Sequence, residues 1–397
     1  MNFIFISPNF PANYWEFCAG LKANGVNVLG IADAPYDALS YELKESLTEY
    51  YRVESLENYE QVYRAVAFFA HKYGFIDWIE SNNEYWLRQD ARLRRQFGVT
   101  TGIQGDHIND IMEKSSQKRL YEQAGIPTAR QLALVAGKEA AWDFVKRIGY
   151  PVIVKPDRGV GAAHTFKVSN DDELRDFLDN DPNYQDYVME QFISGNIRSY
   201  DAIINSKGEP IFESMAMFPP SIMDIVNNND ELTYCIAKEV PEALRELGRK
   251  TVKAFGITRR FVHMEFFCLT RDHAELGKEG DFVALEVNVR PAGADTPDMM
   301  NYAHSTDVYK IWADMVAFDE SRTPLGDKFF CAYASRRDMY QYVTSMDEIY
   351  RRYGQRIMMH TRMPDVLASA MGNEQIVARL NTLEEVEDFT NLVKTRK

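Results

Sequence analysis

The sequence predicts a mixed α/β and α+β protein: a parallel-sheet domain first, two mixed units after it, and a small α+β appendix at the end. Three observations predict this. Residues 1–105 alternate short apolar runs with helical stretches, the β-α-β rhythm of a parallel sheet covered on both faces. Beyond residue 127 strands come as hairpin-like pairs separated by single helices, which is α+β organisation. The chain has 397 residues, 45% of them apolar and 26% charged, enough for two or three domains with a large buried core. The expected boundaries are 1–105 for the parallel-sheet domain and 106–126 for a helical bridge. Then come 127–220, a small α+β subdomain, 221–324, a larger one, and 325–397, the appendix.

Composition excludes several classes. A formal net charge of −14 argues against a nucleic-acid partner, because phosphate binding needs clustered Lys and Arg. Cys18, Cys235, Cys268 and Cys331 are far apart in the sequence and read as reduced thiols of a cytoplasmic protein. Residues 1–7 read as a first strand rather than a signal peptide. No run approaches the roughly 18 apolar residues of a membrane span, so no membrane partner is expected.

Taken in order, Phe3–Ile6 is an apolar strand, 14–23 a helix ended by Asn24-Gly25, and 26–32 a second strand. A short strand follows near 51–53. Asn58 with Gln61 forms a capping-box pattern for a helix running to about Tyr73, and Gly74 stops it. Residues 76–80 and 84–97 give another strand and helix. Ligands of such sheets sit beyond the carboxyl ends of the strands, which singles out 7–10 and 82–84. Glu84 reads equally well as a first-turn helix carboxylate. No G-x-G-x-x-G follows the first strand, so nothing supports a dinucleotide site. In the bridge, Lys114 and Lys118 lie four apart on one helical face and, taken alone, read as a solvated basic edge. Residues 150–156 form a β-branched strand that delivers Lys155 and stops at Pro156. After it come Gly159, Gly161 and Ala162, small residues that let backbone N–H groups close on phosphate oxygens. A strand at 188–193 carries Glu190, Gln191 and Phe192. Residues 221–238 read as a long irregular loop, of the length that is usually functional.

The most specific pattern is the stretch 285–293. At a period of two, Leu285, Val287 and Val289 point into a core, while Glu286, Asn288 and Arg290 share the other face. A carboxylate, an amide oxygen and a guanidinium side by side suit a hard cation together with phosphate or carboxylate. Some twenty residues earlier, His263 and Glu265 share one face of another strand. Pairing the two strands through the loop 270–281 brings Glu265 and Glu286 to one point. Gly293 leaves room for a substrate beside Arg290. From Thr296 a single helix is expected to about Phe318.

E-x-N-x-R closing a sheet, with an acidic strand upstream, resembles the ATP-grasp superfamily, and within it the carbamoyl-phosphate-synthase-like carboxylate–amine ligases acting on amino acids. The resemblance runs from about residue 1 to about residue 320. It implies a Rossmann-like first domain and makes 127–220 the small lid subdomain and 221–324 the catalytic one. It implies ATP with Mg²⁺ or Mn²⁺ as cofactors, with Glu265, Glu286 and Asn288 as metal ligands. Lys114, Lys155, Gly159, Gly161, Ala162, Glu190, Gln191 and Phe192 are implied to hold the nucleotide. Many relatives carry an acidic residue just after the glycine that follows this strand, to hold the ribose. Here Asn196 follows Gly195, and Asp201 is the candidate substitute. Arg290, His263 and Lys155 are the implied catalytic residues, with Glu84, Arg290 and Gly293 around the substrate.

The expected activity is therefore ADP-forming ligation of a small-molecule carboxylate to an amine through an acyl phosphate. Two alternatives stay open on the sequence: a phosphotransferase or carbamoyl-phosphate-forming activity, and a nucleotide sensor without turnover. A homodimer is also left open, dimers being the commonest soluble oligomer. The appendix shows no chemical constellation.

Overall fold

The computed structural model describes residues 1–105, 107–159, 164–219, 225 and 228–397. The first sheet is parallel: β1 (Asn2–Ile6), β2 (Asn27–Ala32), β3 (Glu49–Arg52) and β4 (Trp78–Glu80), in the order β3-β2-β1-β4. Its strands are apolar on both faces because helices cover both, and Phe3, Ile4, Phe5 and Ile6 are fully buried. Gly20 lets the helix 15–23 press onto the helix 308–318. A Cβ there would lie 3.0 Å from the Ala313 Cβ.

A second sheet contains β5 (Gln131–Ala133), β6 (Val152–Pro156), β7 (Phe166–Val168) and β8 (Tyr187–Gln191), all antiparallel, in the order β5-β8-β6-β7. The third and largest contains β9 (Gly195–Ile204), β10 (Pro210–Ser214), β11 (Ala216–Met217), β12 (Thr233–Ile236), β13 (Arg260–Leu269), β14 (Phe282–Asn288), β15 (Phe330–Arg336), β16 (Ile357–Arg362) and β17 (Glu374–Leu380). Its order is β14-β13-β9-β11-β12-β15-β17-β16, with β10 paired to β9.

A buried ion network ties the first sheet to the third. Glu80, at the end of β4, pairs with Arg94 at 2.7 Å and with Arg260 at the start of β13. Arg260 also donates to the Val289 carbonyl at 2.6 Å, so the backbone just before Arg290 is fixed to the first domain. All three charges are almost wholly buried; each is compensated by a partner, as burial requires.

Several sequence expectations need correction. The segment 325–397 is not set apart. Its strands β15, β17 and β16 extend the largest sheet through β12, because Cys331, Ala332, Tyr333 and Ala334 are buried on both faces and need neighbours on both edges. Residues 221–238 are not irregular throughout, since Thr233–Ile236 forms β12. The helix after Thr296 is two helices, 296–304 and 308–318, broken at Ser305 with φ 45°. Among the described residues no helix is long and apolar enough to cross a membrane.

Candidate active site

β13 and β14 pair antiparallel with Glu265 opposite Glu286 and His263 opposite Asn288. A bulge falls immediately after Glu265, where Phe266 pairs with Ala284 and skips Leu285. The bulge reverses the expected facing at that one position. Ala284, Val287 and Val289 enter the core, whereas Leu285 lines the cavity beside Glu286.

His263 is clasped from both sides. Its Nδ1 is 2.7 Å from Asp201 and its Nε2 is 3.2 Å from Glu265. Burial alone would lower its pKa, but Asp201 and then Glu265 outweigh burial and push it up to about 9. Both ring nitrogens are thereby engaged by carboxylates. Asp201 is fully buried beneath it and bonded to Ser199, and it does not line the cavity. The ribose assignment for Asp201 is thus corrected: its carboxylate orients His263.

Opposite these strands stand the lysines. Lys155 on β6 is 2.7 Å from Glu190, and Lys118 is 3.2 Å from the other Glu190 oxygen. Gln131 also donates to Glu190 at 2.8 Å. Burial favours the neutral Glu190, but Lys118 and Lys155 outweigh it and hold its pKa at about 2. Lys155 stays above its usual range: burial opposes its charge, and Glu190 and Glu286 overcome burial. Lys118 falls below its range because burial dominates there. Lys118 is 5% exposed, so the expectation of a solvated basic edge is wrong. The spacing from Lys114 carried the signal, because two lysines on a helix face that packs onto an acidic strand share its burial. Glu190 is committed to three donors and the Gln191 N–H donates to the Arg130 carbonyl at 2.9 Å, which leaves Phe192, just past the end of β8, to present its backbone to the cavity.

Lys114 opens the helix 114–123. Its Nζ donates to the Gly159 carbonyl at 2.8 Å and lies 3.8 Å from Glu286. Asp157 accepts from both the backbone N–H and the hydroxyl of Ser115, so a carboxylate completes the helix N-terminus. Gly161 and Ala162 lie outside the described residues.

Arg290 faces Glu84, Nε to Oε2 at 3.5 Å, and donates to the Pro291 carbonyl at 2.8 Å. The sequence places these two residues more than two hundred positions apart, and the fold brings them together. The Glu84 Oε2 has no hydrogen-bond partner. Gly293 follows in the same cavity wall, with nothing within 4 Å of a built Cβ.

The donor set fits a hard divalent cation. Burial pushes the Glu286 pKa up, with Lys114 pulling down and Glu265 pushing further up. Glu265 is held low because His263 outweighs burial. Two facing carboxylates with an amide oxygen beside them offer oxygen ligands only, and a Mg²⁺-like ion keeps its remaining positions for phosphate and water. Among the described residues no three His, Cys, Asp or Glu side chains converge as a metal cluster.

Lys155, Glu190, His263, Glu265, Glu286, Asn288, Arg290 and Gly293 line one cavity of about 700 Å³ between the second and third sheets, within the roughly 300–1,000 Å³ of small-molecule sites, whereas Lys114, Lys118 and Glu84 pair with residues of that lining. Sequence reasoning missed Asn196, Lys167 and the far wall of Phe218, Tyr234, Leu367 and Met371, all of which line it. Asn196 occupies the place after Gly195 where an acidic residue was sought. The far wall had no sequence signal, because its members come from three separate segments.

Residues 113–192 match the family described as carbamoyl-phosphate synthase L chain, ATP binding domain. The chain is 26% identical over 210 residues to D-alanine–D-alanine ligase B of Clostridium perfringens, covering 52% of this chain and 66% of that one. It spans less than two thirds of the length of the curated relatives it matches first. Among solved structures, the L-amino acid ligase from Bacillus licheniformis superposes with a TM-score of 0.70 at 15% identity, covering 99% of this chain and 96% of that one. The biotin carboxylase domain of Hydrogenobacter thermophilus 2-oxoglutarate carboxylase, solved with MgADP and bicarbonate, also gives 0.70, at 16% identity, covering 99% and 90%. The chain thus shares the fold of these solved structures over nearly its whole length, and its match to the carbamoyl-phosphate synthase ATP-binding domain lies at residues 113–192.

Proposed function

We propose that this chain is an ADP-forming carboxylate–amine ligase that uses MgATP on amino-acid-like small molecules. The observation that carries the reading is one cavity in which Lys155 with its partner Glu190, the facing pair Glu265 and Glu286, and Arg290 all meet. Lys155 and Lys114 hold phosphate oxygens, and the backbone at Phe192 offers its edge to the base. Residues 127–220 and 221–324 are then the two halves around the nucleotide, joined to the first domain by 106–126. Mg²⁺, or Mn²⁺ on the same oxygen donors, would be held by Glu265, Glu286 and Asn288 and would neutralise phosphate charge. Location in the cytoplasm belongs to this reading and is supported by four free thiols.

The chemistry follows from where the charges lie. Arg290, held by Glu84, orients the substrate carboxylate. One carboxylate oxygen attacks the γ-phosphorus, the bond to the bridging oxygen breaks, and ADP leaves with those electrons. The amine lone pair then attacks the acyl carbon of the acyl phosphate. The C–O bond to phosphate breaks, phosphate leaves, and the nitrogen loses a proton. His263, bonded to both Asp201 and Glu265, fixes the Glu265 carboxylate beside the transferring group.

Phosphate release measured over pairs of amino acids, with mass spectrometry of the products, tests the reading. Release that requires a pair and yields a new amide mass is the expected result. A stable phosphate ester from one acid alone would replace ligation with phosphotransfer.

A further inference from the structure

The cavity has a charged wall and an apolar wall, and the C-terminal segment contributes to the apolar one. Leu367, Ala370 and Met371 line it from the helix 365–371. Their spacing of three and four puts them on one face of that helix. Leu367 and Met371 pack against the same core cluster as Tyr234 and Ala292. Tyr234 stacks on Phe218 at 5.4 Å and on Tyr333 at 4.8 Å between ring centroids, which makes the facing wall rigid and aromatic.

The helix is held in place by named bonds. Arg337 donates to the carbonyls of Ala368 at 3.2 Å and Ser369 at 3.0 Å, and to that of Asp230 at 2.8 Å. The Tyr333 hydroxyl donates to the Met371 carbonyl at 2.8 Å. The charged groups next to this end are already paired. Asp295 accepts from Gln375, and Glu231 pairs with Arg396 and accepts from Tyr342. Apart from His263, whose ring centroid lies 6.3 Å from that of Phe218 and whose nitrogens face Asp201 and Glu265, no described residue lining this end carries a charge to meet a charged substrate group. The wall continues into Ala292, Gly293 and Ala294, directly after Arg290.

Resting on the ligase reading above, we infer that the helix 365–371 forms a subsite for an apolar side chain, so that the carboxylate substrate is an amino acid with an aliphatic, thioether or aromatic side chain. Arg290 takes its carboxylate, and Leu367 and Met371 with Phe218 and Tyr234 take its side chain. Leu367 and Met371 are then specificity-determining residues contributed by the part of the chain whose sequence gave no chemical signal.

The test is kcat/KM for ADP release with L-methionine, L-leucine and L-phenylalanine against L-aspartate, L-lysine and L-serine, each offered with L-alanine as the amine. The apolar acids are expected to exceed the charged ones by at least about 10-fold. Leu367→Lys is expected to shift the leucine-to-aspartate ratio toward aspartate by about 10-fold or more. MgATP binding by titration reports whether that variant is folded. If it is not, Met371→Ala is expected to reduce the preference for methionine over serine at least several-fold. ADP release that favours charged acids, or a preference that neither variant moves, overturns the subsite and leaves the ligase reading standing. No ADP from any pair, with MgATP bound, removes the ligase reading and this inference with it.

Discussion

The two ends of one cavity are held together by different physics. At the charged end, buried charges stand in mutual contact: Lys118, Lys155 and Glu190, then Lys114 and Glu286, then Glu265 and His263. At the other end, Phe218, Tyr234, Leu367 and Met371 meet through packing, and the nearby charges are paired away from the cavity. Buried charges fail abruptly when one partner is lost, because the other is left without compensation. Apolar walls fail gradually, in proportion to the surface removed. The contrast explains how one site can fix its chemistry rigidly and still vary what it accepts.

The largest effect expected is on the charged end. Glu286→Ala should lower ADP formation by at least about 100-fold, measured as steady-state turnover with saturating MgATP. ADP formation unchanged by this substitution would refute the site assignment. Next comes Glu190→Ala, which strips the shared partner from two buried lysines. It should cost on the order of 3–5 kcal/mol of stability, read by denaturant unfolding at neutral pH. The pH dependence has a definite sign. The Glu190 pKa is lowered from 4.5 to about 2 on folding, so its contribution is present above about pH 4.5 and is lost as pH falls through about 2. Glu190→Gln should therefore flatten the wild-type loss of stability across that window. The smallest effect belongs to the apolar end. Arg337→Met should leave MgATP affinity within about 2-fold while lowering selectivity between leucine and serine by a few-fold, because it loosens the helix 365–371 without touching the charged groups. A large loss of nucleotide affinity in that variant would show that the two ends are not separable.

The same contrast decides what the sequence reveals. Glu265, Glu286, Asn288 and Arg290 were legible because a two-residue period places them on one face within short stretches. The parallel order of the first sheet was legible for a similar reason, since its apolar strands alternate with helices. Leu285 was misread because a bulge adds one residue to a strand and leaves no mark on the pattern. Asp201 was misread because its partner, His263, lies 62 positions away. Lys118 was placed in solvent because a helix face carrying two lysines looks exposed until the acidic strand that covers it is known. The far wall was invisible: Phe218, Tyr234, Leu367 and Met371 are ordinary core residues in any local window, and only the extension of the largest sheet into 330–380 brings them to the site.

The central claim, transfer of the γ-phosphoryl group to the substrate carboxylate before the amine attacks, is tested most directly by isotope transfer. The acid substrate is labelled with ¹⁸O in both carboxylate oxygens, and the released phosphate is analysed by mass spectrometry after amide formation. One ¹⁸O in each phosphate released is the predicted result, because the attacking carboxylate oxygen leaves with the phosphoryl group. Amide formation with unlabelled phosphate would contradict the account, since the bond broken would then not be the acyl–oxygen bond of an acyl phosphate.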